Sequence, residues 1–298
     1  MRSTNTKEKT MATRLVMVVT LLSLCLISFA ESPKQEAAAA AKTRDAGAAL
    51  NHPDATFQCA YSFASGSGNT YLDYCVTVNG NITYLETPKG HAHIGGEGEF
   101  SSFGEGYGIC NGSPEITEYH DWAGFGDSGN WNAPVLMSHT ATSVKIARTT
   151  SDGIWTLTQT ITLVAATPAI KITMQLKNNT AVDRSAYLVR YADADADATF
   201  LNNLDATQNT AAAWNPLGSL ESTYGHNYGL LLQNVGTPTF GYWQGFAPST
   251  PNPPNACAFA YYAPGSTLIQ INGSLVMSYV DTIAHKGSKT AILTYRGM

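Results

Sequence analysis

Three groups of residues have the types and spacing that chemistry needs. The first is Asp193-Ala-Asp195-Ala-Asp197. Alternate residues of an extended chain share a face, so three carboxylates would project together. Such crowding calls for a cation, and calcium takes about six to eight oxygen ligands in irregular geometry. Asn202, Asn203 and Asp205 follow closely enough to add oxygens. A calcium ion on Asp193, Asp195 and Asp197 is therefore one expectation. The run is not an EF-hand loop, which needs Gly where Ala198 stands and Glu where Leu204 stands. The plainer alternative is a solvated acidic loop, or carboxylates that cap turns and pair with Arg190. The second group is His91-Ala-His93, with Glu97 and Glu99 after it. Two imidazoles two residues apart on a strand can hold a transition metal, with Glu97 as third ligand; ordinary hydrogen-bonded histidines are the alternative. The third group is Glu105 and Asp121 with Trp122 and Trp131. Glycoside hydrolysis needs two carboxyl groups, and an indole beside a carboxylate suits the apolar face of a sugar. Glu105 and Asp121 are the candidate catalytic pair, and Trp122 and Trp131 the candidate sugar contacts. Against this stands the reading in which both tryptophans pack down to anchor their loop.

Other chemistries lack their signatures. There is no G-x-S-x-G elbow, no P-loop and no dinucleotide fingerprint, so no nucleotide, flavin or nicotinamide cofactor is expected.

The elements that must position these residues read as strands. In Ile154 to Val164, Trp155, Leu157, Ile161 and Leu163 take one face, with Gln159 the exception, and four threonines take the other. A period of two over such a length is a half-buried antiparallel strand. Ala166-Thr167-Pro168 turns the chain, and Ile170, Ile172, Met174 and Leu176 then alternate with polar residues. Shorter strand-like runs are Phe57–Phe63, Tyr71–Val78, Ile82–Glu86, Val144–Arg148, Ala186–Tyr191, Tyr228–Val235, Cys257–Tyr262, Leu275–Val280 and Ala291–Tyr295. Asn79-Gly80 is a hairpin turn signal, and no amphipathic helix follows residue 50. The expectation is all-β: one large antiparallel, supersandwich-like β-sandwich over 56–298, after a linker or frayed helix at 31–55. Two smaller β domains are the alternative. Gly124 to Asn130 reads as a loop between the tryptophans.

Residues 1–30 read as a signal peptide. Arg2, Lys7, Lys9 and Arg14 precede an apolar run from Leu15 to Phe29, and Ser28-Phe29-Ala30 offers a cleavage site. Its removal leaves 13 bases and 21 acids, a net charge of −8, and four cysteines. A secreted or periplasmic chain with no membrane anchor after cleavage is expected. Its cysteines should form two disulfides, Cys59–Cys75 and Cys110–Cys257, rather than a metal site. Charged residues are only 13% of the chain, too few for a disordered protein, and no basic face marks a nucleic-acid partner. Eight acids and one base lie between Glu86 and Asp127, which disfavours a polyanionic ligand there. Asn81, Asn111, Asn178 and Asn272 each begin an N-x-Ser/Thr triplet.

Gly104 to Cys110, Leu176 to Thr180 and Leu188 to Asp195 resemble a group of exported bacterial β-rich proteins. The resemblance implies a bacterial exported protein and brings no activity with it. The strand texture is also similar to the large sandwiches of carbohydrate-active enzymes. The functional expectation is an exported β-sandwich that binds a glycan or polysaccharide, with calcium. Its alternatives are a glycoside hydrolase or polysaccharide lyase on the same scaffold, a His-x-His metalloenzyme, and a structural or adhesive envelope protein.

Overall fold

The run that alternates most strictly in sequence is a ten-residue strand, Trp155–Val164, whose side chains alternate buried and half-exposed without exception. It pairs in continuous antiparallel register with Ala169–Asn178, from Trp155 opposite Asn178 to Val164 opposite Ala169. The structure is a computed structural model that describes residues 58–94, 105–112, 116–124, 126–199, 201–216, 228–249, 255–258 and 268–298. The expected signal peptide and linker lie outside these residues, as do Glu97 and Glu99.

In chain order the strands begin β1 (Tyr61–Ser65), β2 (Leu72–Val76), β3 (Ile82–Glu86), β4 (Ala92–Ile94), β5 (Gly106–Asn111) and β6 (Thr117–Trp122). Next come β7 (Gly126–Asp127), β8 (Val135–His139), β9 (Ser143–Thr149), β10 (Trp155–Val164), β11 (Ala169–Asn178), β12 (Arg184–Asp193) and β13 (Asn202–Ala206). The last are β14 (Thr210–Trp214), β15 (Gly229–Asn234), β16 (Tyr242–Phe246), β17 (Leu268–Ile271), β18 (Ser274–Ile283) and β19 (Ser288–Gly297). They form a nine-stranded sheet, β17-β13-β14-β15-β19-β11-β10-β9-β8, and a six-stranded sheet, β16-β18-β12-β5-β6-β7. A four-stranded meander, β1-β2-β3-β4, completes the set. The fold is a large antiparallel β-sandwich.

The two large sheets share one core. Leu157, Ile161, Ile172 and Leu293 from the first meet Tyr107, Ile109, Leu188 and Met277 from the second. Phe63, Leu72, Tyr74 and Ile82 bring the meander into the same core. A second, smaller cluster lies on the opposite face of the six-stranded sheet, where Trp122, Val189, Tyr191 and Val276 pack against Phe246 and Ala256.

Strand β5 has glycines at positions 106 and 108, which a propensity reading takes for loop. Each is required by close approach: a Cβ on Gly106 would lie 1.9 Å from the Asp121 carbonyl oxygen, and one on Gly108 would lie 2.6 Å from the Ala256 methyl carbon. Cys110, on β5, is bonded to Cys257, and Cys59 to Cys75 on β2. Both pairings agree with expectation. Cys257 itself sits in a turn and not at the start of a strand. The disulfides are compatible with an extracellular or periplasmic protein, and among the described residues no helix is long and apolar enough to cross a membrane. Asn81, Asn111 and Asn178 are buried, and the Asn178 amide donates to the carbonyls of Val182 and Ile283 at 2.7 and 3.0 Å.

Candidate functional site

Glu105, Asp121, Arg148 and Arg190 are all buried in the interior. Tyr107 and Asp121 are register partners on β5 and β6, and Glu105 precedes β5 on the face that Tyr107 shares. Arg190 donates from Nε to Glu105 at 2.6 Å and from Nη1 to the Gln159 side chain at 2.6 Å. The other Glu105 oxygen accepts the backbone N–H of Ile82 at 2.6 Å, and the Tyr295 hydroxyl donates to the carboxylate at 3.0 Å. Asp121 is held by Arg148 and by the Asn81 amide at 2.7 Å. Arg148 also reaches Asp127 at 3.2 Å. Burial pushes both carboxyls above their ordinary values, against the pull of the paired arginine.

The turn between β2 and β3 enters this network. Gly80 takes a left-handed conformation (φ +92°), and its carbonyl faces Arg190 at 3.3 to 3.4 Å. The Asn79 carbonyl accepts from the Tyr107 hydroxyl at 2.9 Å. A raised carboxyl in a cleft can mark a catalytic acid, but structural ion-pair networks raise carboxyls too. Here every charge has a partner inside the core.

The tryptophans are similarly enclosed. Trp122 is 2% exposed in the smaller cluster, and Trp131 is 8% exposed with its indole N–H donating to the His120 carbonyl at 3.0 Å. The Arg148 guanidinium lies 5.2 Å from the Trp131 ring, and Tyr107 meets that ring edge-on. Neither indole offers an open face to a sugar.

The aspartate run and the histidine pair, separate in sequence, meet in space. Strand β12 ends at Asp193, so Asp195 and Asp197 do not continue its face. Instead the chain enters a 3-10 turn at Ala196–Ala198, where Asp197 and Ala198 are both left-handed (φ 58° and 55°). Two consecutive non-glycine residues in that region cost about 1–3 kcal/mol each. The Asp197 carboxylate accepts from His91 Nδ1 at 2.7 Å on one oxygen and from the Asn215 amide at 3.0 Å on the other. Its backbone N–H donates to His93 Nδ1 at 3.1 Å. His93 must then carry its proton on Nε2, which donates to the Thr87 carbonyl at 2.6 Å. Burial pushes His93 down to about 4, so it is neutral near pH 7.

Both ring nitrogens of His93 are therefore occupied, and the pair does not present two imidazoles to a metal. Among the described residues no group of three His, Cys, Asp or Glu side chains is placed to hold a metal ion. The three aspartates do not share one extended face, because the strand ends at Asp193 and the chain turns at Ala196–Ala198.

His91 differs from His93. About a quarter of its side chain is exposed. Tyr228 stacks on its ring at 3.4 Å between centroids. Tyr228 also lines a cavity of about 250 Å³ with Asn69, Thr87, Pro88, Pro168, Gly297 and Met298. Sequence reading missed Tyr228 and Asn215, which stand next to strand ends with no motif around them. It missed Arg148 as well. Gln159, the polar residue on an apolar face, is the sign within β10 that the strand reaches a buried polar network.

No family model matches the chain, and no curated protein does. Its fold is similar to that of solved proteins. One is a bacterial glucoamylase complexed with acarbose (10% identity, TM-score 0.48), where the likeness covers 80% of this chain and 32% of that one. A polysaccharide lyase shows 12% identity and a TM-score of 0.46, over 78% of this chain and 33% of that one. This chain thus spans about a third of either protein. A homologue of aldose epimerase from C. elegans shows 8% identity and a TM-score of 0.43, over 80% and 98%. These are likenesses of fold, and a fold of this kind does not fix an activity.

Proposed function

We propose that the chain is an exported carbohydrate-binding β-sandwich whose ligand sits against Tyr228 rather than against Trp122 and Trp131. The observation that carries this reading is the Tyr228 ring, which both stacks on His91 and lines the cavity. Small-ligand sites combine apolar walls with a few placed polar groups. Here Pro88, Pro168, Met298 and Tyr228 supply the walls, and Asn69 and Thr87 the polar groups. The negative charge of the chain favours a neutral glycan. Calcium and the pair of Glu105 and Asp121 are not part of the proposal: Asp195 and Asp197 do not continue the strand face of Asp193, and both buried carboxyls are paired with arginines.

The test is retention of the full chain on a panel of immobilised neutral and acidic polysaccharides. Tyr228→Ala should lose binding that Trp131→Phe retains. Equal binding by Tyr228→Ala and the unaltered chain, or no binding to any glycan, would remove the proposal.

A further inference from the structure

The His91 imidazole has a defined proton arrangement. Asp197 accepts from its Nδ1, and Asn215 and the His93 ring fix Asp197 in turn. Nε2 then carries the lone pair. The side chain is part-exposed beside Tyr228, and no protein group among the described residues hydrogen-bonds Nε2. An imidazole oriented by a carboxylate, with its other nitrogen open, is the arrangement general acid–base chemistry uses. The left-handed Asp197 and Ala198 add a second, independent sign. Strained non-glycine backbone persists only where the surroundings over-determine it, and it clusters at sites that act. Here the His93 ring and the Asn215 amide are the groups that hold it.

We propose that His91 is an acid–base residue, and that Asp197 is its positioning residue. The group it serves is a hydroxyl, on a neutral small molecule or on water, brought to the Tyr228 end of the sandwich. The proposal rests on that reading for the place where the ligand sits, but not on the ligand being a glycan. In the step, the O–H bond breaks and an Nε2–H bond forms. The electron pair stays on the oxygen, and the imidazolium that results is paired with the Asp197 carboxylate. The return of the proton to a leaving oxygen restores His91, and no redox partner is involved. The Asp197 carboxylate would repel an anion, so neutral substrates are the class that fits.

The experiment uses 4-nitrophenyl acetate, a neutral ester that reports acid–base groups without knowledge of the natural ligand. Water adds to its carbonyl carbon as His91 takes the proton. The bond to the nitrophenyl oxygen then breaks, that oxygen receives the proton back, and acetic acid and 4-nitrophenol form. The full chain should accelerate this hydrolysis over His91→Ala by about 10²-fold or more, the range of a positioned acid–base group. Added imidazole should raise the rate with His91→Ala above the rate of imidazole and ester without protein, a gain that a purely structural role for His91 does not predict. Asp197→Asn should be slow and gain nothing from imidazole beyond the protein-free rate, and Asp197→Glu should recover part of the rate. His285→Gln, far in sequence and on an exposed side chain, should leave the rate unchanged. Equal rates for the full chain and His91→Ala, or loss of rate in His91→Ala that imidazole does not restore, would overturn the proposal. Ester hydrolysis without glycan retention would sink the carbohydrate reading alone, and glycan retention without hydrolysis would sink this one alone.

Discussion

Arg190 Nη2 and the Glu105 carboxylate lie 2.5 Å apart, with both side chains at or below 1% exposure. The pair joins β12 to the segment that leads into β5, and through Gln159 it spans to the opposite sheet. A charge so enclosed is tolerable only when fully paired. Removing one partner leaves the other buried and uncompensated. Arg190→Met or Glu105→Gln should therefore cost about 3–5 kcal/mol in denaturant unfolding. A variant with native stability would show that the pair is not the interior cross-tie it is taken for.

Gly80 should tolerate no side chain. Its φ of +92° disfavours any L residue, and an added Cβ would lie 2.6 Å from the Gln159 amide nitrogen. Gly80→Ala is expected to destabilise by about 1–3 kcal/mol, and to weaken the Arg190 network with it. Chemical denaturation compared with Gly90→Ala, where an added Cβ meets nothing within 4 Å, separates contact from backbone cost.

His93 makes stability depend on pH in a defined window. Its folded value is near 4 against an ordinary 6.5, so between these the unfolded chain binds the extra proton. Stability should rise with pH across that window and be lost as pH falls through it, by up to about 3 kcal/mol for this group. His93→Phe removes the titrating group and should flatten that part of the curve. Urea midpoints at pH 4, 5, 6 and 7 for both proteins would measure it, and parallel curves would sink the assignment.

Ala198 is left-handed without a side chain that could compensate. Ala198→Gly should stabilise the fold by about 1 kcal/mol. A loss of stability instead would mean that the Ala198 methyl makes contacts that outweigh the backbone.

The Cys110–Cys257 bond spans 147 residues and ties the turn holding Ala256 over Trp122. Paired serine substitution should cost about 2–5 kcal/mol. It should also shift Trp122 emission to longer wavelength as water reaches the ring. An unchanged spectrum would show that Ala256 stays seated without the bond.

The sandwich was legible because β10, β11 and the other long strands keep a period of two, which is a local property. Both disulfide pairings were legible too. Strands such as β5 and β14 were not, since Gly106, Gly108 and three alanines carry no strand preference and are explained only by what approaches them. The site was half legible. His91, His93 and Asp197 were each singled out, but as two separate metal sites. Nothing local says that Asp197 turns left-handed and meets His91 across 106 positions. Glu105 and Asp121 had the right chemistry for a sugar-cleaving pair, and their buried arginine partners lie on other strands.

The burial of Asn178 bears on how the chain can be made. Its amide nitrogen is spent on the carbonyls of Val182 and Ile283, and Thr180 of the same triplet donates to its amide oxygen at 2.7 Å. An oligosaccharide on that nitrogen has no room in the finished sandwich, and Asn81 and Asn111 are closed in the same way. In a secretory host that glycosylates nascent chains, each transfer at these triplets would compete with folding and lock its chain out of the native state. The yield of unmodified chain from such a host would then report how soon after translocation the sheets close.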